Sequence, residues 1–168
     1  MAENKELELT GSMRVHPTSI IEDGITFGND VVIWRWSHIC KGAVIGSNVM
    51  IGERVHIGPN VTIGNNVRIQ NGVDIFEGAI LEDDVFVGPH VCFTNIRKPR
   101  VTKPNKSYLK TVIRRGASIG ANATIVCGIE VGENSMVGAG CVVHKTIPSN
   151  VTVVGNPARI IKQPKITL

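Results

Sequence analysis

One position in six is aliphatic or aromatic along most of this chain, and that count limits what it can fold into. The series runs Val15, Ile21, Phe27, Ile33, Ile39, Ile45, Ile51, Ile57, Ile63, Ile69, Ile75, Leu81, Val87 and Phe93. It breaks there and resumes at Ile113, Ile119, Ile125, Val131, Val137 and Val143. Four residues past most of these sits a second small or aliphatic side chain, among them Val31, Ala43, Val67, Val85, Ala117 and Cys141. A third position is repeatedly Gly, Asn or Asp, as at Gly24, Asp30, Asn48, Asn66, Gly72, Asp84, Gly116 and Asn134.

An amphipathic helix needs apolar residues three and four apart on one stripe, and this density of Gly and β-branched residues disfavours it. Gly, Asn and Asp tolerate corner conformations that bulkier residues resist. Each hexad therefore reads as one short strand and one corner, with β-branched residues on the flat part. A fixed period of this kind specifies a parallel β-helix. Three hexads close one triangular coil, and coils stack at about 4.8 Å. The expected fold is all-β: a prism with a narrow apolar axis, one protruding loop and a C-terminal capping segment. No coil buries its own face, so the run has to be long.

The length of 168 residues suits one domain. Residues 1–14 lack the register and read as a flexible or separately packed lead-in. Residues 15–162 are the repeat domain, residues 96–112 a loop inserted in it, and 163–168 a tail. The repeat is expected to end at Pro148, and VVGNPARIIK (153–162) to leave it as a short helix or capping segment. The four cysteines show neither CxxC pairing nor metal-ligand spacing, and Cys141 falls in an inward slot, so we read the chain as reduced, intracellular and cytoplasmic. The first residues lack the apolar core of a signal peptide, and no apolar run is long enough to span a bilayer.

The net charge of +4 concentrates in the inserted loop. Arg97, Lys98, Arg100, Lys103, Lys106 and Lys110 precede Arg114 and Arg115, with no acidic residue between Asp84 and Glu130. This is either a solvated loop or a clamp on phosphates and other anions. Nucleic acid is disfavoured, because Tyr108 is the one aromatic stacking platform in the segment. Trp34 and Trp36 fall in outward slots beside Arg35 and mark contact with a neighbouring subunit or a ligand.

His38 and His56 occupy equivalent slots one coil apart and should stack. A metal site of the carbonic-anhydrase kind would need a third His in an i, i+5 pair, which is missing, so no metal is expected. His90 and His144 could each serve as a general base or be merely solvated. Asn95 falls where the repeat stops and the basic loop begins. A carboxamide does not take up a proton at neutral pH, so it can orient a nucleophile or support developing charge. A hydroxyl nucleophile needs a base, whereas a neutral amine already has its lone pair and needs positioning.

Several stretches resemble the left-handed β-helix acyltransferases, and more specifically the bacterial N-acetyltransferases of 3-amino nucleotide sugars. They are VVIWRWSHICKGAVIG (31–46), VRIQNGVDIFEGAILEDDVFVGPHVCFTN (67–95), Pro99-Arg100, TVIRRGASIGANATIVCGIEVGE (111–133) and VGAGCVV…VVGNPAR (137–159). The chain is most similar to members acting on UDP-2-acetamido-3-amino-2,3-dideoxyglucuronate for surface polysaccharide. The resemblance implies a left hand for the helix, a homotrimer with sites at subunit junctions, and acetyl-CoA as cosubstrate. It implies that Asn95 holds the sugar amine beside the thioester and that the CoA sulfur takes the proton. Gln70 and Asn71 would face the sugar nucleotide, with Arg100 near its phosphates or carboxylate. Gly120, Ala139 and Gly140 would line the pantetheine arm, and Lys145 and Arg159 would lie near the CoA phosphates. The family often has an aromatic two residues after the Asn. Arg97 and Lys98 stand here instead and point to a more anionic acceptor. The rival readings are an O-acetyltransferase with His90 as base and a non-catalytic scaffold without CoA affinity.

Overall fold

The computed structural model describes residues 8–10 (backbone only), 13–102 and 107–161. The expected tail at 163–168, most of the lead-in, and Lys103, Pro104 and Lys106 of the basic loop lie outside the described residues.

The hexads form a three-sided stack with no helix among the described residues. The first face carries, in stacking order, Met13–Val15, Val32–Ile33, Met50–Ile51, Arg68–Ile69, Phe86–Val87, Ser118–Ile119, Met136–Val137 and Thr152–Val154. The second carries Ile20–Ile21, His38–Ile39, His56–Ile57, Asp74–Ile75, Cys92–Phe93, Thr124–Ile125 and Val142–Val143. The third carries Thr26–Phe27, Val44–Ile45, Thr62–Ile63, Ala79–Leu81, Thr111–Ile113 and Glu130–Val131. Strands on each face pair in parallel, one coil to the next, as His38 with His56 and Arg68 with Phe86. Strands this short work because each backbone N–H reaches the equivalent carbonyl one coil on, as Gln70 to Val87 at 2.9 Å.

Both inward slots are buried from Val31 to Val143, and together they form one continuous core. Val15, Ile21 and Phe27 are only partly covered, because too few coils lie before them. Within the span from Val31 to Val143 two inward slots are serines with partners of their own. The Ser37 hydroxyl donates to the Gly52 carbonyl at 2.7 Å, and that of Ser135 to the Pro148 carbonyl at 2.6 Å.

The third hexad position is the corner, and every Gly, Asn or Asp named for it above has φ between +54° and +75°. That left-handed conformation costs a β-carbon roughly 1–2 kcal/mol. Trp36, Arg54 and His90 nonetheless adopt it, with φ of 58°, 53° and 58°. All three stand at the corner between the first and second faces. The Arg54 guanidinium carbon lies 5.9 Å from the Trp36 ring centroid, a cation–π contact one coil apart.

Three boundaries differ from expectation. Glu8–Thr10 pairs antiparallel with Met13–Val15 and extends the first face beyond the parallel stack. Thr111 and Val112 belong to a third-face strand rather than to the loop. Pro148 does not end the stack, because Thr152–Val154 adds one more parallel strand beside Met136–Val137. Pro148 follows Ile147, the last bridge on the third face among the described residues, so no further coil there needs the N–H it lacks. The chain then reverses through Gly155 and the cis Asn156–Pro157 bond, and Arg159–Ile161 returns antiparallel. The cap is a hairpin, not a helix.

Candidate active site on the two edges of the second face

The loop leaves the prism at the corner between the second and third faces. Cys92 therefore pairs with Thr124, across the inserted residues. Its start is pinned by Thr94, whose hydroxyl accepts the Cys127 N–H at 3.0 Å. Its return is pinned by Leu109, which lies over two corner glycines of the same column. A β-carbon at Gly78 would come 2.8 Å from the Leu109 carbonyl, and one at Gly128 would come 3.1 Å from its side chain.

Asn95 is half-buried on the outside of this corner, and its carboxamide has no hydrogen-bond partner among the described residues. Two residues on, Arg97 lines an open cavity of about 540 Å³ with Val126, Gly128, Ile129, His144, Lys145 and Thr146. The lining thus combines apolar Val126 and Ile129 with the cations Arg97 and Lys145, and Asn95 is not part of it. Arg100 is exposed in the loop, its guanidinium turned back on the Pro99 carbonyl at 2.8 Å.

The remaining expected contacts lie on the other edge of the second face. Gln70, Asn71, Gly120, Ala139 and Gly140 all follow first-face strands. Gln70 is half-buried, and the Asn71 carboxamide oxygen accepts the Glu53 N–H at 2.9 Å. Gly120 sits directly against the next coil, where a β-carbon would come 2.5 Å from the Ala139 nitrogen. Arg159 lies farther out, exposed in the capping hairpin. One chain brings Asn95, Arg100 and Lys145 to one corner and the other set to the opposite corner. His90 belongs to that opposite corner, packed on Gly72, while His144 shares the corner of Asn95.

The basic series is less concentrated than the sequence suggested. Arg114 bridges Glu82 and Glu130, each at 2.7 Å, and Arg115 pairs with Asp83 at 3.4 Å. The stack brings the preceding and following coils, with their carboxylates, alongside these arginines. Arg114's hydrogen bond holds the Glu130 carboxyl below its ordinary value. Arg97, Lys98, Arg100 and Lys110 remain exposed.

The second face also carries a cluster that sequence reasoning missed in part. The His38 and His56 rings meet edge-on, with centroids 5.6 Å apart, and His56 packs against Phe76 at 5.4 Å. Cys40, two residues after His38 and buried, joins them. Strand alternation, which puts residues 38 and 40 on one side, was the available signal.

Comparison with known proteins fits this architecture. The model of the bacterial transferase hexapeptide family (six repeats) matches residues 24–59, 42–75 and 110–145. A dTDP-3-amino-3,6-dideoxy-alpha-D-galactopyranose 3-N-acetyltransferase from Aneurinibacillus thermoaerophilus is 46% identical over 146 residues, covering 87% of this chain and 76% of that protein. A serine acetyltransferase from Buchnera aphidicola is 42% identical over 89 residues, covering 53% of this chain and 32% of that protein. Among solved structures, the GDP-perosamine N-acetyltransferase of Caulobacter crescentus, in complex with CoA and GDP-perosamine, has a TM-score of 0.61 at 20% identity. That alignment covers 90% of this chain and 57% of that one. The acetyltransferase domain of PglB from Neisseria gonorrhoeae, in complex with acetyl coenzyme A, has a TM-score of 0.60 at 20% identity, covering 89% and 58%. The chain thus spans less than two thirds of both solved neighbours. It belongs to the bacterial hexapeptide-repeat acetyltransferases, with their left-handed parallel β-helix.

Proposed function

We propose that the chain is an acetyl-CoA-dependent N-acetyltransferase acting on the 3-amino group of a nucleotide-linked sugar. The observation that carries this reading is the 46% identity, over 87% of the chain, to a relative named for that reaction on a dTDP-linked sugar. The half-buried Asn95, two residues before the Arg97 that lines a cavity with Lys145, supports it. The neutral amine, held by Asn95, attacks the thioester carbonyl. Backbone N–H groups stabilise the oxyanion. The new C–N bond forms as the C–S bond breaks, and the amine proton passes to the departing sulfur.

A homotrimer is the assembly this reading requires. Gln70, Asn71, Gly120, Ala139 and Gly140 meet Asn95, Arg100 and Lys145 only if one prism lays its first corner against its neighbour's second. Acetyl-CoA then lies in the groove between prisms. For the acceptor, the Aneurinibacillus relative favours a dTDP-linked 3-amino-6-deoxyhexose, while Arg97 and Arg100 suit the carboxylate of a UDP-linked 3-amino uronate. Incubating the protein with acetyl-CoA and each sugar nucleotide, and following free CoA thiol, tests the proposal. We expect one CoA released per amine acetylated with one of them. Absence of turnover with every 3-amino sugar tested overturns it.

A further inference from the structure

Away from the proposed transfer corner, the opening coils gather donors that acetyl transfer does not use. His38, Cys40 and His56 each offer one ligand atom, and these atoms lie within 4.8 Å of one another. The His38 Nε2 atom is 3.9 Å from the Cys40 sulfur. It is also 2.8 Å from a Glu22 carboxylate oxygen. The other Glu22 oxygen accepts the Lys41 N–H at 2.8 Å, which fixes the carboxylate toward the cluster. The repeat explains the convergence. Residue 40 follows the strand that carries residue 38, residue 56 stacks on residue 38 one coil on, and residue 22 lies under residue 40 one coil before. An open cavity of about 400 Å³, lined by Ile20, Ile21, Glu22, Asp23 and Lys41, lies on the Glu22 side of the cluster.

We propose that His38, Cys40 and His56 bind one zinc ion, with the Glu22 carboxylate as fourth donor. Tetrahedral zinc takes nitrogen at about 2.0–2.1 Å and sulfur at about 2.3 Å, which puts neighbouring donors roughly 3.3–3.6 Å apart. His38, Cys40 and His56 already lie within 4.8 Å of one another, and Glu22, hydrogen-bonded to His38, has to swing in from the coil before. Two imidazoles, a thiolate and a carboxylate select zinc over magnesium or calcium, which prefer all-oxygen shells. The Phe76 ring on His56 and the Lys41 N–H on Glu22 hold two of the donors in orientation. The donors come from three successive coils, so the ion clamps the end of the stack, where Ile21 and Phe27 are least covered. Its role is structural and independent of the acetyl-transfer reading.

Cobalt(II) titration of the metal-stripped full-length chain tests this. We expect a thiolate-to-cobalt charge-transfer band in the near ultraviolet that saturates at one ion per chain and is bleached by zinc. Zinc should also raise the melting temperature. Cys40→Ser should lose the band, and His56→Gln should weaken cobalt binding by at least about tenfold while keeping its circular dichroism. No band in the folded wild-type chain overturns the proposal. So does a band that persists in Cys40→Ser, which would assign the thiolate to another cysteine.

Discussion

At the scale of single residues, the proposed chemistry rests on an amide. Asn95→Ala should lower turnover by roughly 10²–10³, the usual cost of one lost polar contact to developing charge, without altering the melting temperature. Turnover within a few-fold of wild type would remove Asn95 from the reaction. His144→Ala separates amine from hydroxyl chemistry. A general base contributes about 10²–10⁴, so a loss below tenfold is expected for an amine acceptor. A loss in that larger range would make His144 the base. Asn95 could be singled out in the sequence because it ends the repeat inside a specific motif, FTN followed by PR. The separation of the histidines was not legible, since nothing local to His90 or His144 shows which corner carries the loop. Nor was the pairing of Arg114, because its partners Glu82 and Glu130 lie in other coils.

Single strands and corners set the tolerances of the scaffold. Gly120→Ala would drive a methyl against the Ala139 backbone, since the ideal β-carbon position is 2.5 Å from that nitrogen. Chemical denaturation should show a loss of about 1–3 kcal/mol, as for other overpacked sites. An unchanged midpoint would mean the coils part easily. The Arg114–Glu130 pair predicts a pH dependence. Glu130 ionises more readily folded than unfolded, so its contribution is present above its ordinary value of 4.5 and lost as pH falls through its lower folded value. The stability difference between wild type and Glu130→Gln should therefore be small and positive near neutrality and vanish in acid below 4.5. A difference that grew in acid would contradict the sign. The strands themselves were readable from the hexad. The bulky corner residues Trp36, Arg54 and His90 were not, because their left-handed φ breaks the rule that made the other corners recognisable. Pro148 misled for another reason: proline forbids a ladder bond, but on the third face no coil follows it among the described residues to require one.

For the whole molecule, a one-dimensional stack has two exposed edges on its second face and half of the candidate site on each. That division argues for an assembly. Light scattering on the purified protein should give the mass of three chains, and mixing inactive Asn95→Ala with inactive Gln70→Ala chains should restore part of the activity. Monomeric protein, or mixtures that stay inactive, would put the site within one chain. The stack was legible in the sequence because each hexad repeats the same local rule. The edges on which Gln70 and Asn95 fall were not, since they follow from the coil count and not from any local motif. The central claim is that the corner of the prism serves an amine and supplies no base. Its most direct test compares kcat/KM for a 3-amino nucleotide sugar and its 3-hydroxy counterpart at saturating acetyl-CoA. The account predicts rapid acetylation at nitrogen and essentially none at oxygen; equal or faster acetylation of the hydroxyl would contradict it.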